Sequence, residues 1–496
     1  MDLFQSLDCS VVNVDSGKRF SSIQDAINDI NTVDGNTIYV KKGTYHENVI
    51  INKSIILLGE DKKTTVITGD YSGDVLSIVA DEVTISGFTL QNSGTNGFSD
   101  CDSGVDIRSN YNTISGNIIE YNWCGINFYQ SQHNKIIGNI ISSNDHGFFS
   151  FSKVNYNLIS RNSIVGNHYY GVYLVNNTNY NTISFNTVQN NNAGITLLDS
   201  SNNDISENII INNNGSAIDL TVLCNYNQIS KNIIANNMGS GVELPHSSYN
   251  IINENIISNN NGFGLYLYGS LNNTILNNTI ENNYFGFVLE GSSRNRIICN
   301  KISNNYEYGI YLIPHLTYNS DFNVIYHNNF VENQPNAYDE CSNFWDNGYP
   351  SGGNYWDDFS GVDNDGDGIG DTPYNISGGN NQDQYPLIFP YGEKLIISII
   401  SPKQNYIYFA NNQIIPFLVT LVIGKIDIKV DVLAQKGIDR VELYIDNKLK
   451  YNDTNSSFNL TWSEISLFRI RHTIKVIAYD SIGKQVSNEL KIWKFF

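Results

Sequence analysis

Positive charge is scarce in this 496-residue chain. Its 29 lysines and arginines stand against 49 aspartates and glutamates, giving a formal net charge of −20 and a pI near 4.7. A nucleic-acid partner needs a basic surface to replace counterions, so that class is excluded, and docking on anionic lipid with it. Sulfur is sparse too. The two methionines and six cysteines (Cys9, Cys101, Cys124, Cys224, Cys299, Cys341) lie far apart with no CxxC pair, and the eight histidines are scattered. That argues against a zinc knuckle, a thioredoxin-type site or a soft-metal centre such as copper. The even cysteine count permits disulfides without requiring them. The longest apolar run, Ile414–Gly424, is too short for a bilayer, which takes roughly 20 residues, so no membrane insertion is expected. The opening "MDLFQSLDCS" has neither a basic nor an apolar leader region; the chain is either intracellular or trimmed of a signal. Nine N-x-S/T sequons (Asn52, Asn176, Asn214, Asn272, Asn277, Asn375, Asn452, Asn455, Asn459) suit secretion. No nucleophilic triad, phosphate loop or metal-enzyme signature occurs.

Asparagine is what the chain has in excess, and it is periodic. An Asn precedes "xI" at 112, 134, 157, 181, 203, 227, 250, 273, 295 and 323, with steps of 22 to 24 residues and a last step of 28. Further Asn follow five and ten residues after each, making three unbroken columns of ten. Apolar columns run between them, from Ile114 to Ile325 and from Ile119 to Phe330, and a Gly usually opens a third segment such as "GVYL" or "GLYL". Segments this short, β-branched and separated by polar turns are strands, and three per repeat make one coil of a parallel β-helix. The asparagines then have a structural role: they tolerate the left-handed conformations of corners, and their amides can bond from coil to coil in ladders.

The ends need caps. "SSIQDAINDI" (Ser21–Ile30) predicts a short helix with Ser22 as N-cap, Asp25 three residues on, and Ile23, Ala26, Ile27 and Ile30 as its apolar face. The fold expectation is all-β: a right-handed parallel β-helix of about 12 coils with a C-terminal β-sandwich. Its parts are an N-terminal cap (1–35), the β-helix (36–345), a Gly/Asp-rich cap (346–392) and an Ig-like sandwich (393–496), where "VELYIDNK", "FNLTWSE" and "HTIKVIAYDSIGK" alternate as strands and Trp462 is core. The opening "SIQDAINDI…GNTIYVKKGTYHENVIINKSIILLGED" resembles pectin-lyase-like right-handed β-helices. The "NNTI…N…NN…G" coils and the tail "GGNYWDDFSGVDNDGDGIGDTPYNI…DQYPL" resemble NosD-type proteins, common on archaeal surfaces, and the last hundred residues resemble bacterial Ig-like modules. NosD itself is linked to copper-site assembly; with soft ligands so few, no copper is expected here.

"DNDGDGIGD" places Asp363, Asp365, Asp367 and Asp371 at calcium-loop spacing, with Gly368 for the turn and the Ile369 carbonyl as a further ligand. It resembles thrombospondin type 3 and dockerin loops, but Tyr374 stands where a distal Glu is usual, so Asp383 would have to substitute. Structural calcium is the expected cofactor. On the third strand of each coil, the residues between the inward apolar ones face out: Asn127, Phe149, Tyr173, Thr196, Asp219, Glu243, Tyr266, Val288, Tyr311, and beside them Tyr129, Phe151 and Tyr268. Tyr129, Phe149, Phe151, Tyr173, Tyr266, Tyr268 and Tyr311 are candidate glycan contacts. Asp219 and Glu243, with Asp199 and His246 just beyond their strands, are candidate acid–base residues. The functional expectation is a secreted or cell-surface β-helix protein, calcium-stabilised, that binds a glycan without catalysis or has a structural role in the envelope, with a glycan or cell-envelope polymer as partner. The alternatives are a polysaccharide lyase, hydrolase or epimerase, and a self-associating structural subunit.

Overall fold

The computed structural model describes residues 10–96, 101–365, 367–392, 395–434, 438–455, 457–465, 470–480 and 485–496. The first nine residues of the expected N-terminal cap lie outside them. The chain divides into a unit ending at Leu387 and one beginning at Ile388, against the 392/393 boundary read from composition.

The first unit is a parallel β-helix. Three sheets of 15, 14 and 13 strands run its length. One coil contributes, for example, Thr113–Ser115 to the first sheet, Ile118–Glu120 to the second and Cys124–Tyr129 to the third. Register never slips: Ile114 pairs Ile136, Ile119 pairs Ile141 and Ile126 pairs Phe148. Equivalent residues therefore stack, and the isoleucine columns close into one core in which Ile114, Ile119, Ile136 and Ile141 are wholly buried. Each buried Ile side chain contributes roughly 1.5–3 kcal/mol. The 13 strands of the third sheet count the complete coils. This agrees with the reading of about 12, and the coils up to Ile107 are the ones that carry few of the diagnostic asparagines. The Gly that opens the third segment is needed for close approach: a Cβ on Gly264 would lie 2.6 Å from the Gly286 carbonyl oxygen.

All thirty column asparagines are buried. Asn208 illustrates their bonding. Its Oδ1 accepts from the backbone N–H and the Nδ2 of Asn186 at 2.9 and 3.0 Å, while its own Nδ2 donates to Ile183 O and to Asn232 Oδ1 at 2.8 and 3.0 Å. The side chain satisfies corner backbone groups that the strands leave unpaired. One part of the sequence reading is corrected. The ladder asparagines are not themselves left-handed; the residue immediately before each one is, as at Glu207 (φ 57°), Tyr111 (60°) and Asn190 (56°). The ladder role selects the amide, and the preceding position takes the strain.

The N-terminal helix spans Ile23–Asn28, and Ser22 Oγ accepts from Asp25 N at 3.1 Å as its N-cap. Ile23, Ala26 and Ile27 are buried, but Ile30 is 90% exposed, because the helix stops at Asn28 before its next turn can carry Ile30 inward. At the other end Tyr355–Trp356 pairs with the second sheet, so the solenoid continues into the expected cap. There Trp356 stacks between Phe330 and Tyr374 at 4.4 and 4.2 Å. Asp383 fixes this cap: it accepts from Asn354 N (2.7 Å), Trp356 Nε1 (2.9 Å) and Tyr385 N (3.1 Å). Burial pushes its carboxyl up to about 7.

The second unit packs a three-stranded sheet (Leu395–Ser401, Ile426–Ala434, Ser457–Trp462) against a seven-stranded one. Ile428, Val430 and Trp462 from the first share a core with Val441, Leu443, Ile474 and Val476 from the second. This is the expected sandwich, with Trp462 in its core.

Candidate functional site

Among the described residues of the solenoid, only the third sheet has strands that reach six residues, and it carries the outward columns of candidate contacts. Strict parallel pairing sets Asp106, Asn127, Phe149, Tyr173, Thr196, Asp219, Glu243, Tyr266, Val288 and Tyr311 side by side. The strip is aromatic, then acidic, then aromatic. It is less open than outward alternation predicts: Asn127, Thr196 and Val288 are 3–5% exposed. Coils only about 4.8 Å apart leave a small side chain little surface beside larger neighbours.

The predicted glycan contacts form two aromatic groups. In one, Tyr129 stacks on Phe151 (6.5 Å between centroids), Phe149 meets Tyr173 edge-on (5.8 Å), and Tyr173 stacks on Tyr170 (4.4 Å). Arg108 lies over Tyr129 and pairs with the buried Asp106. In the other, Tyr266 packs on Phe263 (4.7 Å) and near Tyr268 (6.2 Å), and Tyr311 packs on Tyr308 and Tyr338 (4.7 and 5.1 Å).

Between the groups, Asp219 pairs in register with Glu243. Burial, and then the Glu243 charge, push the Asp219 carboxyl up to about 7. Its Oδ1 is sealed from solvent and has no hydrogen-bond partner among the described residues. Glu243 accepts from Ser216 Oγ at 2.8 Å. Asp199 and His246 do not join this pair. Both occupy left-handed turns after their strands (φ 48° and 50°), with Leu223 in the intervening coil. His246 instead packs edge-on against Tyr268 at 4.9 Å. Gly269 makes that possible: a Cβ there would sit 2.6 Å from His246 Nδ1.

Two further features lie on this face. Tyr266 OH donates to Glu290 Oε2 (2.7 Å), Glu290 Oε1 bonds His315 Nδ1 (2.6 Å), and His315 Nε2 bonds Tyr268 OH (2.8 Å). Burial, and then the Glu290 carboxylate, raise the Tyr266 phenol well above its usual range. His315 stands in the residues that lengthen the last repeat step to 28, and that irregularity was the available signal. The second is His146, enclosed by Trp123, Phe149, Tyr169 and Tyr170. Burial, and then His168, hold its imidazole down at about 4.

In the acidic loop, Asp363, Asp365 and Asp367 bring one carboxylate oxygen each to within 4.8 Å of one another. Gly368, in the left-handed region at φ 90°, donates its N–H to Asp363 Oδ2 at 2.9 Å, and Ile369 N donates to Asp367 Oδ1 at 2.8 Å. Asp371 is turned to Asn364, accepting from its N and Nδ2 at 2.9 and 2.6 Å. The expected substitute ligand, Asp383, is committed to the cap bonds described above, and Tyr374 is stacked on Trp356, so neither completes this cluster. Cys101 and Cys124, on adjacent coils, form a disulfide.

Parts of the chain are similar to known proteins. A cell surface glycoprotein of Methanothermus fervidus is 38% identical over 81 residues, 16% of this chain and 13% of that protein. Among solved structures, the periplasmic alginate epimerase AlgG has 16% identity and a TM-score of 0.41, covering 62% of this chain and 84% of its own. The catalytic domain of a GH87 alpha-1,3-glucanase in complex with nigerose has 18% identity and a TM-score of 0.45, covering 68% and 67%. The family model for bacterial Ig domains matches residues 397–476. The model described as periplasmic copper-binding protein (NosD) matches residues 30–221 and 220–361, well over half of the sequence, and the chain therefore belongs to the NosD family, with an Ig-like domain after its β-helix.

Proposed function

We propose that this is a cell-surface β-helix protein that holds a glycan along the third sheet without cleaving it. The observation that carries the reading is the composition of that strip: aromatic rings on both sides of a carboxylate pair. Rings offer faces to sugar C–H groups, and carboxylates accept from hydroxyls. The name of the Methanothermus relative supports a surface location, as does the disulfide, a bond that persists in oxidising compartments. A glycan array probed with wild type, Tyr173→Ala and Tyr266→Ala tests it. Wild type should bind and each variant should bind at least tenfold more weakly; an array blank for wild type refutes the reading.

A second reading is hydrolysis, favoured by one observation. Asp219, held protonated to about pH 7 beside Glu243, has the profile of a general acid next to a carboxylate. Release of reducing ends by wild type and its loss in Asp219→Asn would replace the first reading with this one.

Calcium belongs to the same proposal. Three convergent carboxylates form a hard-oxygen donor set that suits calcium, and an ion there would hold this loop of the Gly/Asp-rich segment closed. Chelation with EDTA should lower the melting temperature of wild type and leave Asp365→Ala unmoved. An unchanged wild-type melting temperature removes the claim.

A further inference from the structure

Each coil turns three corners, and at each the residue before the ladder asparagine is left-handed. Backbone geometry is the same at all three, yet the residues differ. After the second sheet the position is mostly Asn (Asn190, Asn212, Asn236, Asn259, Asn282, Asn304), the residue that conformation alone favours. At the corner after the third sheet it is mostly aromatic: Tyr111, His133, Tyr156, Tyr180, Tyr226, Tyr249 and Phe322. A bulky side chain in this conformation is an outlier. The corner therefore has aromatic residues for a reason other than its turn.

These rings stack in register on the outside of the solenoid. Tyr111, His133, Tyr156 and Tyr180 follow one another at 5.0, 5.2 and 5.1 Å, within 10° of parallel, and Tyr226 and Tyr249 at 5.0 Å. The tyrosines are about half exposed, Tyr180 at 50% and Tyr226 at 59%. The ladder is interrupted once between aromatic rungs that lie a single coil to either side, at Asn202; beyond Tyr249 the position is Asn272, then Arg294, before Phe322. In the coil between Tyr180 and Tyr226 the position is Asn202, although the backbone ladder runs through unbroken, with Tyr180 N bonded to Ser201 O and Asn202 N to Asn225 O. Tyr180 and Tyr226 thus stand two coil steps apart, roughly 10 Å at the usual spacing.

The edge of this slot has donors in place. Asn179 Oδ1 accepts from Ser201 N at 2.6 Å and Asn225 Oδ1 from Ser248 N at 2.7 Å. Those bonds fix both amide planes, and neither Nδ2 has an acceptor among the described residues. The immediate surroundings (Asn179, Ser201, Asn202, Asn225, Ser248) are uncharged, and a chain of net charge −20 disfavours a polyanion. A ring placed midway would lie about 5 Å from each tyrosine, a spacing that suits the thickness of a sugar chair carrying C–H groups on both faces. We propose that the slot between Tyr180 and Tyr226 binds one pyranose ring of a neutral glycan, with the Asn179 and Asn225 amides donating to its hydroxyls. This site is separate from the strip on the third sheet and does not depend on it.

The test is titration of the full chain with cellohexaose and maltohexaose, followed by the change in tyrosine fluorescence and by saturation-transfer NMR. Asn202→Tyr fills the slot with a rung that the same corner carries elsewhere, so its melting temperature should equal or exceed wild type while binding of the sugar falls at least tenfold. Tyr226→Ala should weaken binding similarly, and Tyr173→Ala with Tyr266→Ala should leave it unchanged. Binding by folded Asn202→Tyr at wild-type strength overturns the proposal, as does failure of wild type to bind either sugar. If Asn202→Tyr instead changes only the oligomeric state, the slot takes a second copy of the chain, and the proposal is equally overturned.

Discussion

At the residue scale, asparagine does two different jobs in this chain, and adjacent positions separate them. Ladder residues such as Asn208 are buried and bond both ways along the axis; corner residues such as Asn212 are exposed and left-handed. Replacing Asn208 by Ala strands the Asn186 N–H in a dry interior, at a cost of about 1–3 kcal/mol. Asn212→Gly keeps the conformation and loses no buried bond. Urea unfolding should therefore show a clear fall in midpoint for Asn208→Ala and little change for Asn212→Gly. Equal effects would mean that the ladder amides are there only for their turn preference. The sequence columns showed which amides repeat; which of two adjacent positions takes the left-handed strain depends on backbone angles that no column of letters contains.

At the scale of the element, the third sheet combines stability and function. Parallel register places Asp219 beside Glu243 and half buries both, so the strip carries a carboxyl that resists ionisation. The folded-state value for Asp219 is about 7 against an ordinary 3.8, and that for Asp74, near the start of the sheet, is about 6, raised by burial and then by Asp106. The folded chain holds these protons where the unfolded chain releases them. Their contribution to stability is full below about pH 4 and is lost as pH rises to about 7. The melting temperature should fall between pH 4 and pH 7, and Asp219→Asn should flatten part of that slope. A profile that rises over this window, or a variant with an unaltered slope, would contradict the geometry. Of this site, the outward column was legible because the period of two is strict. The Glu290–His315–Tyr268 chain was not, because it depends on how an inserted loop folds back over the coils.

At the scale of the whole molecule, two units divided at Leu387 and Ile388 have separate cores. Calorimetry of the intact chain should give two transitions, and residues 388–496 produced alone should reproduce one of them. A single transition that vanishes when the chain is divided would mean that the cores are not independent. The solenoid should also unfold less cooperatively than its size suggests, since each coil contacts only its neighbours.

The sequence by itself determined the coil. A repeat of 22 to 24 residues with three asparagine and two isoleucine columns admits few solutions that bury every apolar residue and pair every amide, so period and chemistry together specify a parallel β-helix. The tertiary structure decided what the outside of the coil presents. It set how far a strip of outward side chains is covered by its neighbours, left Asp199 and His246 away from the carboxylate pair, and removed Asp383 from the acidic loop to the cap. It also revealed the interrupted ring ladder at one corner. The interior is dictated by burial, which repeats with the sequence; the surface depends on distances between coils and loops, which the sequence does not list in order.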